Sequence, residues 1–262
     1  MESLKAFARL VRPRHTGQIV GIVGILSIVE RGFSIHSAFA VISSLFASFA
    51  IFVLDDAHDY QGDLTAHPER PIPKGVITVR QAYLAGVVLL SVGILAASTL
   101  LLYQFTIFLT LMIVAIAIVF FNIPSLLRAF IIAFLIWGLF PFSSFPTVKI
   151  MIFGLIVALP HIGGSIAKDF LHSSGDTAQG LNPPPHRSKY IASSAFFLSG
   201  AIIWMPIISS FFTWFYLPPI VLTCVTCIVL GVSALKEEYR RVYAYGRIGM
   251  VSSLIVFLVG EI

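Results

Sequence analysis

The sequence predicts an all-α, polytopic membrane protein, and three observations carry that prediction. The 262 residues are 58% hydrophobic and only 11% charged, whereas a soluble globular domain carries about 25% charged residues. Mean hydropathy is +0.95. The apolar stretches are continuous and match the ~20 residues that a helix needs to cross a bilayer. A transmembrane β-barrel would instead alternate polar and apolar residues.

Nine spans are predicted: 16–32, 35–54, 79–102, 104–121, 128–146, 148–169, 189–214, 216–234 and 244–261. The first is the most polar, with Glu30 and Arg31 at its end. Residues 1–15 are basic and amphipathic and lead directly into it, without the pattern of a cleavable signal peptide. Pro141 and Pro160 fall inside predicted spans and should bend or interrupt them. A span tolerates proline where neighbouring groups satisfy the freed carbonyl. Cys224 and Cys227 sit in an apolar run with no His or second Cys pair nearby, and read as ordinary apolar positions. A single membrane-embedded domain over residues 1–262 is expected.

Nine spans put alternate loops on opposite sides. All Lys and Arg except Arg31 and Lys149 then fall on one face, together with the N-terminus. The positive-inside rule makes that face cytoplasmic. The basic charge (formal net charge +5) is therefore a matter of topology, not of nucleic-acid binding. The expected location is the cell membrane, with the N-terminus and the polar loops described next on the cytoplasmic side.

All six Asp residues lie in two clusters on that face. Asp55, Asp56, Asp59 and Asp63 follow the second span, and Asp169 and Asp176 follow the sixth. Within the first cluster the spacing is three to four residues, which places the carboxylates on one face of a continuing helix. Carboxylates at this density repel one another unless a cation joins them. Hard oxygen donors of this kind suit Mg²⁺, which binds through a few carboxylates plus substrate phosphates. The second cluster is read as one Asp at a helix end with another seven residues on, in a loop over 170–188. Two such groups would clamp a diphosphate, and ionisable residues at the membrane boundary are functional candidates by default. Arg70, Lys74, Arg128 and Lys168 are basic residues on the same face, able to neutralise a diphosphate. His58 reads as a solvated loop residue. The aromatic stretch Phe140 to Phe145 is read as apolar packing. Cation transport fits less well, since transporters place their carboxylates near the bilayer midplane. The sequence also lacks the Ala-Arg that a CDP-alcohol phosphotransferase motif needs after Asp59.

These residues resemble the UbiA superfamily of intramembrane prenyltransferases. The family's NDxxDxxxD lies over Asp55 to Asp63, its RPLPxG over Arg70 to Gly75, and its KDxxDxxGD over Lys168 to Asp176. The Arg12-Pro13 pair and Phe121-Asn122…Arg128 match further family stretches. The resemblance implies nine helices around a central cavity, open to the cytoplasmic side and laterally to lipid. It implies Mg²⁺ held by Asp55, Asp56, Asp59, Asp63, Asp169 and Asp176, with Asp56, Asp59 and Asp169 catalytic. Arg70, Lys74, Arg128, Lys168, His172 and Asn122 would contact substrate. Three departures stand out: Asp55 replaces Asn, His172 replaces the middle Asp of the second motif, and Phe121 replaces Tyr. Gly164-Ser165 also stands where many members have Arg-Glu. The closing KEEYRRVYAYGRIGM is similar to archaeal lipid-forming members, which transfer geranylgeranyl from its diphosphate to geranylgeranylglyceryl phosphate. Prenylation of an aromatic quinone precursor, or cyclisation of the prenyl chain with no acceptor, are the alternatives within the same superfamily.

Overall fold

The structure is a computed structural model that describes the chain over residues 2–178, 184–205 and 217–246, with side chains over 5–171, 184–205 and 217–246. Among these residues there are helices and no strands. They are α1 Glu2–Leu10, α2 Pro13–Arg31, α3 Ile35–His58, α4 Tyr60–Ala66, α5 Val79–Ala97, α6 Leu102–Phe120, α7 Ser125–Ser143, α8 Val148–Ala178, α9 Ser188–Ile202 and α10 Leu217–Leu235. Residues 239–246 form a further helical segment, α11.

Six described helices are long and apolar enough to cross a membrane: α3, α5, α6, α7, Val148–Leu171 of α8, and α10. On α10, Val221, Leu222, Val225, Ile228 and Val229 are exposed, an outward apolar face suited to lipid. The expected first span corresponds to α2, whose ends carry Arg14, His15, Glu30 and Arg31. The seventh begins as α9, Ser188–Ile202. Residues 206–214 of the seventh, and the ninth beyond residue 246, lie outside the described residues.

Two compact units are present, Met1–Asn122 with Phe142–Ser144, and Ile123–Pro141 with Phe145–Ile262. In the first unit α3 is central, packed by α2, α5 and α6. Its buried face is built from small residues: Ala40, Ser43, Ser44, Ala47, Ser48 and Ala50. Small residues let helix backbones approach where lipid supplies no hydrophobic drive. A Cβ added at Gly93 of α5 would stand 3.2 Å from the Ala47 backbone nitrogen. The buried hydroxyls return to their own helix, with Ser43 donating to Ala40 O, Ser44 to Val41 O and Ser48 to Ser44 O. Ser34 caps α3 by accepting from the Ser37 N–H. Thr78 and Gln81 close a capping box on α5.

A polar layer closes the start of α3. Fully buried Gln104 donates to Phe142 O at 2.7 Å and accepts from Arg31 at 2.9 Å. Arg31 also donates to the Tyr103 hydroxyl, Ser27 to Ser143 O, and Ser144 to Glu30. Ser37 donates to Ser27 O and Gly32 O. From Ser37 to Asp56 is about 29 Å at 1.5 Å per residue. Arg31 and the first Asp cluster therefore lie at opposite ends of α3.

In the second unit α9 packs on α8 and α10. Phe196, with no exposed surface, fills the notch left by Gly163 among Ala129, Ala133, Ile162, Ile166 and Leu230. One sequence expectation is corrected here. Helix α8 does not end near Asp169 but continues to Ala178, so 170–178 is not a loop. Residues 170–178 contain no Pro, and one Gly costs a helix only about 1 kcal/mol. Of the two outcomes expected at Pro160, interruption is not the one seen, since α8 runs on through it. Proline removes the N–H that would bond the carbonyl four residues back, Ile156, and Ser199 of α9 donates its hydroxyl to Ile156 O at 2.8 Å. Pro141 likewise lies within α7. Of the aromatic stretch, Phe140 and Phe142 are buried packing residues, while Phe145 is exposed.

Two substitutions check this packing. A Cβ at Gly163 would meet the Phe196 ring at 2.3 Å, whereas one at Gly164 meets nothing within 4 Å. Gly163→Ala should cost about 1–3 kcal/mol and lower the thermal midpoint in detergent, with Gly164→Ala neutral or stabilising. Ser199→Ala should cost about 1–3 kcal/mol by leaving Ile156 O unpaired, read in the same melt.

Candidate active site

The first cluster is shaped by an almost unbroken helical path. The Asp59 N–H donates to Asp55 O at 2.9 Å, and the Asp63 N–H to Asp59 O at 3.0 Å, so α4 continues the turn that ends α3. The expected one-sided arrangement of Asp55, Asp56, Asp59 and Asp63 follows from that path. Asp56 and Asp63 are buried, Asp55 is half-buried and Asp59 is exposed.

Two arginines meet these carboxylates. Arg12 donates to Asp55 at 2.9 Å and also pairs with Asp56. Arg70 donates to Asp63 at 2.6 Å and lies 3.5 Å from Asp56. Arg70 is placed by the turn that follows α4. Ile72 is buried against Leu10, Val11, Val53, Ala57 and Ala82. Gly75 then takes a left-handed φ of 72° that reverses the chain toward α5. Charges taken from water at a helix end persist when paired and hydrogen-bonded, and Asp56 has both arginines.

Among the described residues no arginine is hydrogen-bonded to Asp59. Partial burial, then repulsion from Asp55 and Asp63, pushes its carboxyl up to about 6. Exposed His58, read from sequence as a loop residue, is the last residue of α3 and packs edge-on against Phe120 at 5.2 Å.

The second cluster is built separately, from α7 and α8. Asp169 is buried. It accepts a hydrogen bond from Ser125, at the first turn of α7, and another from Arg128 at 3.2 Å. The Arg128 N–H donates to Pro124 O, so the turn over Ile123–Pro124 sets both donors. Phe170, next to Asp169, stacks on Tyr239 of α11 at 4.4 Å between ring centres. The turn before α11 passes through Glu237, held at a left-handed φ of 62°.

The expected site residues thus divide. Asp56, Asp63 and Arg70 come together with Asp55 in the first unit. Asp169 and Arg128 come together in the second. Lys74, Asn122 and Lys168 are exposed. His172 and Asp176 lie on the backbone of α8, but their side chains fall outside the described residues. Sequence reasoning missed Arg12 and Ser125 as partners of the acidic residues. Each lies more than 40 residues from its Asp, and nothing local in the sequence signals the pairing.

Among the described residues no three His, Cys, Asp or Glu side chains converge as a ready-made metal cage. The donors nonetheless fit Mg²⁺. They are hard oxygens in small groups, and Mg²⁺ is usually held by one or two carboxylates together with substrate phosphates. Asp56 in the first unit and Asp169 in the second, each already held by an arginine, are the buried carboxylates of their clusters.

These features define a polytopic membrane protein with carboxylate–arginine groups at the ends of its apolar helices. Residues 19–250 match the UbiA prenyltransferase family; the chain belongs to that family, and is an integral membrane enzyme of prenyl transfer. It is 26% identical to a digeranylgeranylglyceryl phosphate synthase of Natronomonas pharaonis, over 100% of this chain and 99% of the relative. A solved structure concerning digeranylgeranylglyceryl phosphate synthase in membranes superposes with a TM-score of 0.82, 25% identity, and coverage of 100% of this chain and 99% of the other. A UbiA homologue from Archaeoglobus fulgidus, bound to GPP and Mg²⁺, shares the fold with a TM-score of 0.68, 13% identity, and coverage of 96% and 99%.

In the metal-free protein Asp59 should titrate near pH 6. Infrared difference spectra would show a protonated carboxyl band growing as pH falls through 6, absent from Asp59→Asn. Titration near the ordinary aspartate value of about 3.9 would contradict the crowding described above.

Proposed function

We propose that this chain transfers a geranylgeranyl group from its diphosphate to geranylgeranylglyceryl phosphate in ether-lipid synthesis, a reading supported by its similarity to a digeranylgeranylglyceryl phosphate synthase. The observation that carries the reading is the state of Asp56 and Asp169. Each is buried near the end of an apolar helical span and held by an arginine. A carboxylate in that position is costly, and an enzyme that binds a metal-bound diphosphate at the membrane boundary has a use for it.

In this proposal residues 1–262 act as one membrane domain. Asp55, Asp56, Asp59 and Asp63, with Asp169 and Asp176, hold Mg²⁺ against the diphosphate. Bound Mg²⁺ would supply positive charge against the leaving group. The chain's own cations do the rest. Arg70 and Lys74 on one side, and Arg128 and Lys168 on the other, take phosphate oxygens. They stabilise the negative charge that grows as the allylic carbon–oxygen bond lengthens. Arginine suits this task through its paired donors. Asn122 and His172 are assigned to substrate contact; the acceptor's hydroxyl oxygen bonds the allylic carbon as the carbon–oxygen bond to diphosphate breaks, and its proton passes to the released diphosphate. Asp55 keeps the oxygen donor of the family's Asn. Imidazole at His172 is a poor Mg²⁺ ligand but a good hydrogen-bond donor to a phosphate. The prenyl chain lies among the apolar helices, and the diphosphate end faces the cytoplasm, as the asymmetry of Lys and Arg supports.

The decisive assay supplies the full-length protein in nanodiscs with labelled geranylgeranyl diphosphate and separate acceptors, with and without Mg²⁺. The expected product is digeranylgeranylglyceryl phosphate, formed only with metal and abolished by chelation. Asp59→Asn and Asp169→Asn should each lower kcat by about a thousandfold. A cyclised hydrocarbon formed without any acceptor, or prenylation of an aromatic acid alone, would replace this reading. Near-normal turnover in either variant would remove the metal assignment.

A further inference from the structure

The two arginines on the first cluster differ. Arg70 comes from the RPIPKG segment and belongs with the proposed phosphate ligands. Arg12 comes from the other side of the sequence, and its backbone is unusual. It sits at φ 45°, ψ 66°, between α1 and α2. Among the described residues only Arg12 and Glu237 have positive φ without being Gly. Such a conformation is unfavourable for any side chain with a Cβ and points to a functional constraint.

The surroundings hold Arg12 in place. Leu10 and Val11 are buried on one side. The Arg12 N–H donates to Arg9 O, and its carbonyl accepts from the His15 and Thr16 N–H groups. Thr16 Oγ1 donates to Val11 O at 2.7 Å. The guanidinium carbon lies 5.3 Å from the centre of the Phe52 ring. The guanidinium is thus aimed at Asp55 and Asp56, the first two carboxylates of the motif. Its side chain remains 28% exposed, so it has room to turn to another anion.

From this geometry we infer that Arg12 is a tethered counter-cation that makes metal binding conditional on the diphosphate. The inference rests on the reading in the preceding subsection. Arg12 occupies the carboxylate oxygens of Asp55 and Asp56 that a metal needs. A metal ion arriving alone must separate an ion pair and leave the guanidinium without a partner. A diphosphate arriving with the metal offers phosphate oxygens to the same guanidinium, which binds them through its paired donors. The charge released from Asp55 and Asp56 is then met again. Metal and diphosphate each strengthen the binding of the other, and linkage makes the effect reciprocal. The site stays closed to stray divalent cations and assembles only around substrate.

The test measures Mn²⁺, in place of Mg²⁺, bound to the full-length protein in nanodiscs by electron paramagnetic resonance. Free Mn²⁺ is held by a buffer, with and without inorganic pyrophosphate. Wild-type protein should bind Mn²⁺ about tenfold or more tightly when pyrophosphate is present. Arg12→Gln should bind Mn²⁺ alone about tenfold tighter than wild type, and the gain from pyrophosphate should shrink toward one. Arg12→Lys, which keeps the cation, should stay close to wild type. If Arg12→Gln does not fold, Phe52→Leu loosens the guanidinium and should shift affinity for Mn²⁺ alone in the same direction by a smaller factor. The inference is overturned if Arg12→Gln, or Phe52→Leu in its stead, binds Mn²⁺ alone no tighter than wild type. It is also overturned if the Gln and Lys variants behave alike, since packing rather than charge would then explain them. Absence of Mn²⁺ binding by wild type even with pyrophosphate overturns the prenyl diphosphate reading itself, and this inference with it.

Discussion

Ion pairing between aspartates and arginines at the ends of apolar helices is the constraint on which the rest of this structure depends. A carboxylate at that depth cannot stand alone, because the loss of water costs too much. Asp56 and Asp63 meet Arg12 and Arg70, and Asp169 meets Arg128 and Ser125. Each pairing draws in a segment that the helices alone would leave unanchored. Arg12 fixes the turn between α1 and α2. Arg70 brings the RPIPKG segment back onto α3. Ser125 and Arg128 fix the first turn of α7.

The helices supply a frame rigid enough to hold these pairs. Close approach is achieved through small residues, as where Gly93 meets Ala47 and Gly163 meets Phe196. The hydroxyls of Ser43, Ser44 and Ser48 return to carbonyls of their own helix, and Gln104 and Ser199 each serve a carbonyl of another segment. Along α3 the two polar ends differ in character. One end is a structural layer closed around Arg31 and Gln104. The other presents an exposed carboxylate, Asp59, whose neighbours raise its proton affinity.

Much of this was legible in the sequence, for identifiable reasons. Confinement of all Asp residues to two stretches marked the candidate site, since no solubility requirement produces that distribution. The three-to-four spacing from Asp55 to Asp63 anticipated a continuing helix. The start of α3 at Ile35 was set by polar residues that interrupt the apolar run. Other features were not readable. The extension of α8 beyond Asp169 was missed because hydropathy falls there and Ser173, Ser174, Gly175, Asp176 and Thr177 are weak helix formers, although no Pro breaks the helix before Ala178. The rescue of Pro160 by Ser199 depends on a hydroxyl of another helix, 43 residues away from the carbonyl it bonds. The Arg12–Asp56 pair joins residues 44 apart, and no local pattern announces it.

In the function proposed above, both aspartate clusters serve one metal-bound diphosphate. The most direct test is an anomalous diffraction map of the full-length protein in lipid with Mn²⁺ and an unreactive prenyl thiolodiphosphate. The account predicts metal peaks on one diphosphate, within coordinating distance of the Asp56 group and of Asp169 together. Metal confined to one cluster, or a diphosphate bound away from either, would contradict it.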